Sequence, residues 1–83
     1  MKDLNKYWLQ IAKDQLLGRT ITEVRYMSQE EMEGMGWSHR PVIMVLDDGN
    51  AIYPSADDEG NDGGSLFTNN EDNPVLPVLR NFN

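Results

Sequence analysis

The residues with the clearest capacity for chemistry form one acidic, glycine-rich run. Residues 57–64 read Asp-Asp-Glu-Gly-Asn-Asp-Gly-Gly. Carboxylate and amide oxygens on a flexible loop are the ligands that Ca²⁺ prefers. Asp57, Glu59 and Asn61 have the spacing that begins an EF-hand loop, but the sixth position is then not glycine and the twelfth is not glutamate. A start at Asp58 places Gly60 at the third position and Asn69 at the twelfth. Because neither register completes an EF-hand, we expect no bound metal.

The same run has a simpler interpretation as a hairpin loop. Asp and Asn side chains hydrogen-bond to nearby backbone N–H groups, and Gly supplies positive φ angles. We predict that Asp57, Asp58 and Glu59 are held by such bonds and by an ion pair with Arg40. A divalent-metal or small-ligand site centred on residues 57–64 stays open as an alternative.

Nucleophilic catalysis has little support in this chain. There is no cysteine, and His39 is the single histidine. A Ser-His-Asp set is conceivable from composition, but the G-x-S-x-G elbow that presents a nucleophilic serine is missing. We therefore predict no catalytic residue, no cofactor and no enzyme activity.

A second group of candidate residues lies in the connector Trp37-Ser38-His39-Arg40. Trp and Arg are enriched at the energetic centres of protein interfaces. Alternatively, Trp37 closes one end of the core and Arg40 neutralises the acidic run. The connector and the acidic run together give the predicted binding residues, which are Trp37, Arg40, Asp57, Asp58, Glu59, Asn61 and Asp62.

The charge is distributed unevenly along the chain. Residues 1–40 hold six bases and six acids, whereas residues 41–83 hold one base and eight acids, so the second half carries the whole net charge of −7. Binding to nucleic acid phosphates or to anionic membranes requires clustered Lys and Arg. We therefore expect a protein partner rather than a nucleic acid or a membrane, with the chain a monomer or a weak homodimer.

Size and composition bound the class of protein. An 83-residue chain is expected to form a single domain, residues 1–83, with a thin core. Charged residues interrupt the first twenty positions, so we expect no signal peptide, and no apolar run approaches the length of a membrane span. The lack of cysteine is typical of a reducing compartment, which predicts a cytoplasmic location.

The first element that must position these residues is an N-terminal helix. Leu4, Tyr7, Trp8 and Ile11 repeat at helical spacing, and Ala12 and Leu16 extend their stripe. Asp3 is a suitable N-cap and Gly18 a suitable C′ residue. The pattern predicts a helix over residues 3–17, with Trp8 packed on the sheet.

The rest of the chain reads mostly as short strands. Side chains that alternate between two faces predict a strand over 20–27. Ser28 with Glu31 forms a capping box that begins a short helix. Residues 42–46 are an unbroken apolar run, typical of a central strand. An Asp48-Gly49 turn predicts pairing of that strand with residues 51–53, followed by a strand at 65–68 and an extended segment at 74–79.

These elements predict an α+β fold. We expect a small, strongly curved antiparallel sheet, resembling an SH3-like small barrel, with the N-terminal helix packed on it. A sheet this small needs the helix over it for stability.

One spaced pattern resembles a known family. It comprises Tyr26-Met27, Gly36-Trp37, Arg40-Pro41, Leu46-Asp47-Asp48-Gly49 and Tyr53-Pro54-Ser55-x-Asp57-Asp58-Glu59-Gly60-Asn61-x-Gly63-Gly64-x-Leu66-Phe67. This pattern is similar to that of a family of small uncharacterised proteins of bacteria and their phages, over roughly residues 18–68. The resemblance implies that the acidic run and the connector belong to one recurring module, and it implies no activity.

The sequence thus favours a small, acidic, non-enzymatic binding or regulatory module that acts through protein–protein contacts. Two alternatives stay open. One is the ligand-binding domain centred on residues 57–64. The other is a phage-type inhibitor that presents its acidic face to a basic host protein, an encounter that salt would weaken.

Overall fold

A computed structural model describes residues 3–80, which contain two helices and five short strands. In chain order the elements are α1 (Leu4–Leu16), β1 (Ile21–Tyr26), α2 (Gln29–Gly34), β2 (Val42–Leu46), β3 (Ala51–Ile52), β4 (Leu66–Phe67) and β5 (Val75–Leu76). The predicted α+β class is confirmed, and each predicted element lies within a few residues of its expected position.

The strands form two separate antiparallel sheets. The first has the order β1-β2-β3, and β4 pairs with β5 in the second. Isolated bridges between Arg40 and Leu79 and between Ser55 and Gly63 connect the intervening loops. Within residues 3–80 no closed barrel forms, so the SH3-like barrel is not confirmed.

Strand β2 is central, as its apolar sequence predicts. Val42, Ile43 and Leu46 are each 4% exposed. One face of the first sheet contributes Ile43 to a core with Met27, Met32 and Trp37, and Val45 packs against this cluster. The core therefore lies between the sheet and α2, which the connector follows.

A β-bulge in β1 changes which side chains share a face. Ile21 pairs with Leu46 and Glu23 pairs with Val45, so two residues of β1 advance against one of β2. Thr22 occupies the bulge and donates its hydroxyl to the carbonyl of Val45 (3.2 Å). As a result Ile21 lies on the same face as Leu46, rather than with Glu23 on the other face.

The turn between β2 and β3 is not the two-residue type I′ turn that the pair Asp48-Gly49 favours. The Gly49 N–H donates to the Leu46 carbonyl (2.9 Å), and the Leu46 N–H donates to the Asn50 carbonyl (2.8 Å). Gly49 has φ +88°, but no non-glycine residue in 3–80 has positive φ, as a type I′ turn would demand of Asp48. The loop is therefore three residues long, with glycine at its left-handed position.

Helix α2 begins with the predicted capping box. The Ser28 N–H donates to Glu31 Oε1 (2.8 Å), and the Glu31 N–H donates to Ser28 Oγ (3.1 Å). Arg25 adds a two-pronged ion pair to the same carboxylate, at 2.8 and 3.0 Å. Hydrogen bonds from Arg25 and then from the Ser28 backbone lower the pKa of Glu31 to about 2.

Helix α1 has the predicted bounds and caps but not the predicted packing. Asp3 accepts from the N–H groups of Asn5 and Lys6 (3.0 and 3.3 Å), and Gly18 has φ +78°. None of the residues of α1 is buried, and Trp8 is 61% exposed. The expectation that Trp8 packs on the sheet is therefore wrong.

The four residues between α1 and β1 explain why α1 does not pack on the sheet. Arg19 reaches Asp47 (3.4 Å) and Asp48 (3.6 Å) in the β2–β3 turn, and the Asp47 N–H donates to the Thr20 carbonyl (2.9 Å). These contacts fix the end of α1 beside the turn, at the end of the sheet.

Among residues 3–80, no helix is long and apolar enough to cross a membrane.

Candidate functional site

The acidic run folds back onto the connector, and two side chains join them. Trp37 is 6% exposed, and its indole Nε1–H donates to the Gly60 carbonyl at 2.7 Å. Tyr53 contacts the same indole edge-on, with ring centroids 6.0 Å apart. The second connection is Asp62, whose carboxylate lies against Ser38 and His39. The predicted proximity of the connector and the acidic run is therefore observed.

Asp62 organises the most densely hydrogen-bonded cluster of this region. Its Oδ1 accepts from the N–H groups of Ser38 (3.1 Å), His39 (3.0 Å) and Gly63 (2.8 Å). Its Oδ2 lies 2.7 Å from Ser38 Oγ and 2.8 Å from His39 Nδ1. The hydrogen bond with His39, followed by that from Ser38, holds the pKa of Asp62 well below its usual range.

The arrangement of Ser38, His39 and Asp62 is not that of a catalytic triad. In a triad the aspartate contacts one ring nitrogen of the histidine, and the nucleophile contacts the other. Here Ser38 Oγ lies 3.2 Å from His39 Nδ1, on the side of the ring that Asp62 already occupies. The carboxylate and the hydroxyl therefore meet the same ring nitrogen instead of opposite ones, and the cluster fixes the connector in position.

Asp57 forms the turn predicted for it. Its Oδ1 accepts from the N–H groups of Glu59 (3.0 Å) and Asn61 (3.1 Å), and its Oδ2 accepts from Asn61 Nδ2 (2.7 Å). The bond from the Asn61 amide is the largest cause of a lowered pKa at Asp57. Asp58 and Glu59, by contrast, are exposed and make no side-chain hydrogen bond or ion pair within residues 3–80. The prediction of local backbone bonds therefore holds for Asp57 alone.

Arg40 does not form the predicted ion pair with the acidic run. Its Nη1 donates to the Met27 carbonyl at 3.4 Å, and its Nε is buried without a hydrogen-bond partner. The backbone of Arg40 pairs with that of Leu79 in both directions, at 2.8 Å. In the acidic run, the carboxylate of Asp62 accepts from Ser38 and His39, so these residues supply the donors expected from Arg40.

Two glycines allow the acidic run to approach its neighbours closely. A Cβ at position 63 would lie 2.7 Å from both the His39 carbonyl oxygen and Pro41 Cδ, and one at position 64 would lie 2.7 Å from the Ser55 carbonyl. Only Gly60 in the run has a positive φ, of +74°. We expected these glycines because of turn conformation, but two of the three are required because a Cβ would not fit.

Two shallow concavities flank His39. One of about 640 Å³ is lined by residues that include Met32, Trp37 and Arg80, and one of about 490 Å³ by residues that include Ser55 and Asp62. His39 Nε2 makes no hydrogen bond to the described part of the chain. Residues 3–80 contain no group of three His, Asp or Glu side chains placed to hold a metal ion.

An exposed apolar surface lies elsewhere, on α1. Five apolar side chains lie within about 140° of one another around this helix, at 100° per residue, in an arc that also includes Asn5 and Gln15. We call them the α1 stripe, and they are Leu4, Trp8, Ile11, Ala12 and Leu16. Leu4 is 63% exposed and Leu16 is 46% exposed. A helix that packed on its own sheet would bury this stripe.

A second apolar surface lies on the sheet face opposite the core. Val24 pairs with Met44, and Met44 pairs with Ile52, so these three side chains point to one face. The bulge adds Ile21 to them. We call this group the open sheet row. Ile21 and Val24, on the edge strand β1, are 51% and 61% exposed, whereas Val42 and Leu46 on the same face are buried, so the row is open mainly along β1. The sequence did not predict Ile21 in this row, because the bulge that places it there has no glycine to mark it.

Comparison of the chain with protein-family models, curated proteins and solved structures finds no match in any of the three.

Proposed function

We propose that this protein is a small, non-enzymatic binding module that acts through protein–protein contacts, with α1 as its docking element. The observation that carries the proposal is the exposure of the α1 stripe. A Trp side chain that is 61% exposed on a capped, 13-residue helix is a large apolar surface for a protein of this size. Amphipathic helices commonly bind by placing such a face in an apolar groove.

Three features of the structure support this function over catalysis. Ser38 and His39 share one oxygen of Asp62, so the cluster offers no relay to a nucleophile. The concavities beside His39 are shallow and open to solvent rather than enclosed. The acidic run is bonded internally through Asp57 and Asp62, as expected of a structural loop.

Site-specific photo-crosslinking tests the proposal. The photoreactive residue benzoyl-phenylalanine replaces Trp8 in one variant and Gln10, about 160° away from Trp8 around α1, in the control. We expect the variant at position 8 to form a discrete crosslinked product in the cell, identified by mass spectrometry, and the control to form little of it. Equal crosslinking from both positions, or none from either, would contradict the proposal.

The acidic inhibitor is a second candidate, favoured by one observation. Asp58 and Glu59 are exposed and make no ion pair within residues 3–80, so their charge is available to a basic protein. Association through this surface would weaken steeply as salt rises, because exposed charges are screened over about 8–10 Å. Binding through the α1 stripe would change little with salt, which separates the two candidates in one titration.

A further inference from the structure

We propose that the partner of α1 is a second copy of this chain, and that the α1 stripe of each copy packs on the open sheet row of the other. This inference rests on the proposed function and names the partner. It also accounts for both exposed apolar surfaces with one contact, which two-fold symmetry uses twice.

The first argument is that the two surfaces match in kind. The α1 stripe is a convex apolar helix face, and the open sheet row is an apolar sheet face beside an edge strand, β1. Helix on sheet is the standard way for both faces to leave water. Within one chain the contacts of Arg19 with Asp47 and Asp48 hold the end of α1 at the end of the sheet. Exchange between two copies provides the same packing without disturbing those contacts.

The second argument is area. Leu4, Trp8, Leu16, Ile21 and Val24 are each 46–63% exposed. At about 150–250 Å² for a large side chain, these exposed fractions come to roughly 550 Å² of apolar area per protomer. Two protomers would then bury about 1,100 Å² in total, slightly more than the roughly 1,000 Å² that a specific interface needs. A helix–helix pair alone would bury much less and would leave both sheet rows in water.

The third argument is charge. Helix α1 carries Lys6, Lys13 and Asp14, whereas the whole chain has a net charge of −7. The side chains of the stripe and of the row are all uncharged, so their contact buries no charged group. Lys6 and Lys13 lie on the side of α1 away from the stripe, so they stay in water in the complex.

Sedimentation velocity over micromolar to millimolar protein provides the first test. We expect a dimer whose dissociation constant rises at least about 30-fold in Trp8→Ala, since a central interface tryptophan is a hot-spot residue. Val24→Ser on the other surface should also weaken the dimer, and the control Gln10→Ala, on the face of α1 away from the stripe, should not. Both apolar positions are exposed in the monomer, so these variants should keep its fold. A protein that stays monomeric throughout would overturn the inference.

Cysteine crosslinking then tests which surfaces meet, because the chain has no cysteine of its own. Isotope-labelled Ala12→Cys is mixed with unlabelled Val24→Cys under oxidising conditions. We expect a disulfide between the two chains, and only background when Glu71→Cys replaces Ala12→Cys. Disulfides only between two copies of Ala12→Cys would indicate helix–helix pairing and overturn the proposed packing.

The remaining outcomes separate this inference from the proposed function. In the double variant Ala12→Cys, Val24→Cys, an internal disulfide in a monomer would mean that α1 covers its own sheet, and both proposals would fail. A monomer in which position 8 still crosslinks to a different protein would leave the proposed function standing and remove the second copy.

Discussion

His39 and Asp62 are joined through Nδ1 and Oδ2 at 2.8 Å, across 23 positions of sequence. The bond connects the connector to the end of the acidic run, and the carboxylate also accepts from three backbone N–H groups. This single side chain therefore carries much of the attachment of the loop to the core.

We expect Asp62→Ala to destabilise the protein by roughly 2–4 kcal/mol, because several charge-assisted hydrogen bonds are lost and their donors are left without acceptors. Asp62→Asn keeps one side-chain oxygen that can accept hydrogen bonds, so it should destabilise the protein less. Chemical denaturation measures both. The matched control is Asp58→Asn, which should change stability by less than about 0.5 kcal/mol. Equal effects at positions 58 and 62 would show that the Asp62 cluster has no special role.

Acid should destabilise the protein, because two of its carboxyl groups have lowered pKa values in the folded state. The folded-state pKa of Glu31 is about 2 against an ordinary value of 4.5, and that of Asp62 is also lowered. A lowered pKa contributes stability that is complete above the ordinary carboxyl pKa and is lost as pH falls through the folded-state value. Thermal melts should therefore show a falling melting temperature from about pH 4.5 toward pH 2.

The variant Glu31→Gln isolates one carboxyl group in that titration. It should be less stable than the parent protein at neutral pH, and its melting temperature should fall less between about pH 4.5 and pH 2. Parallel pH profiles for the two proteins would contradict the assignment of this stability to the Arg25–Glu31 pair.

The glycines of the acidic run should differ from one another in their tolerance of alanine. Gly63→Ala places a methyl group 2.7 Å from a carbonyl oxygen and from Pro41, and should cost roughly 1–3 kcal/mol. Gly60→Ala should cost roughly 1–2 kcal/mol, because its φ is +74°. Gly34→Ala, at the end of α2 in open space, should be neutral or stabilising by up to about 1 kcal/mol. Urea denaturation ranks the three variants, and a destabilised Gly34→Ala would contradict this order.

Millimolar Ca²⁺ or Mg²⁺ should leave the melting temperature nearly unchanged. Asp57 and Asp62 already accept internal hydrogen bonds, so a cation would have to replace the donors of those bonds. A site occupied at a hundred times its dissociation constant would stabilise the fold by about 2.7 kcal/mol. That corresponds to a rise of roughly 10–20 °C in a domain of this size. A rise of that kind, abolished by Asp58→Asn, would favour the ligand-binding alternative.

Local rules predicted the elements of this fold well and their assembly less well. Asp3, Ser28 with Glu31, and the apolar run at 42–46 each determine structure through neighbours a few residues away, so the sequence was sufficient for them. The packing of α1 depends on how Arg19 meets the β2–β3 turn, which no local pattern encodes.

The candidate site shows the same division. Asp57 forms a local turn and was predicted correctly. The ion pair of Arg40 was predicted from charge alone, and it does not form. Ser38 and His39 supply the donors that the Asp62 carboxylate requires. Serine is uncharged, and the single histidine is counted as neutral in the formal net charge, so the charge pattern gave no sign of these two donors.

The buried core has a kinetic consequence. Its members Met27, Met32, Trp37 and Ile43 come from one short stretch of chain, so the loops that must close to assemble them are small. Contacts that are near in sequence form quickly, and we expect a folding nucleus made of β1, α2 and β2. The acidic run would attach later, through Trp37 and Asp62. During synthesis, the nucleus could therefore form before the last third of the chain has left the ribosome.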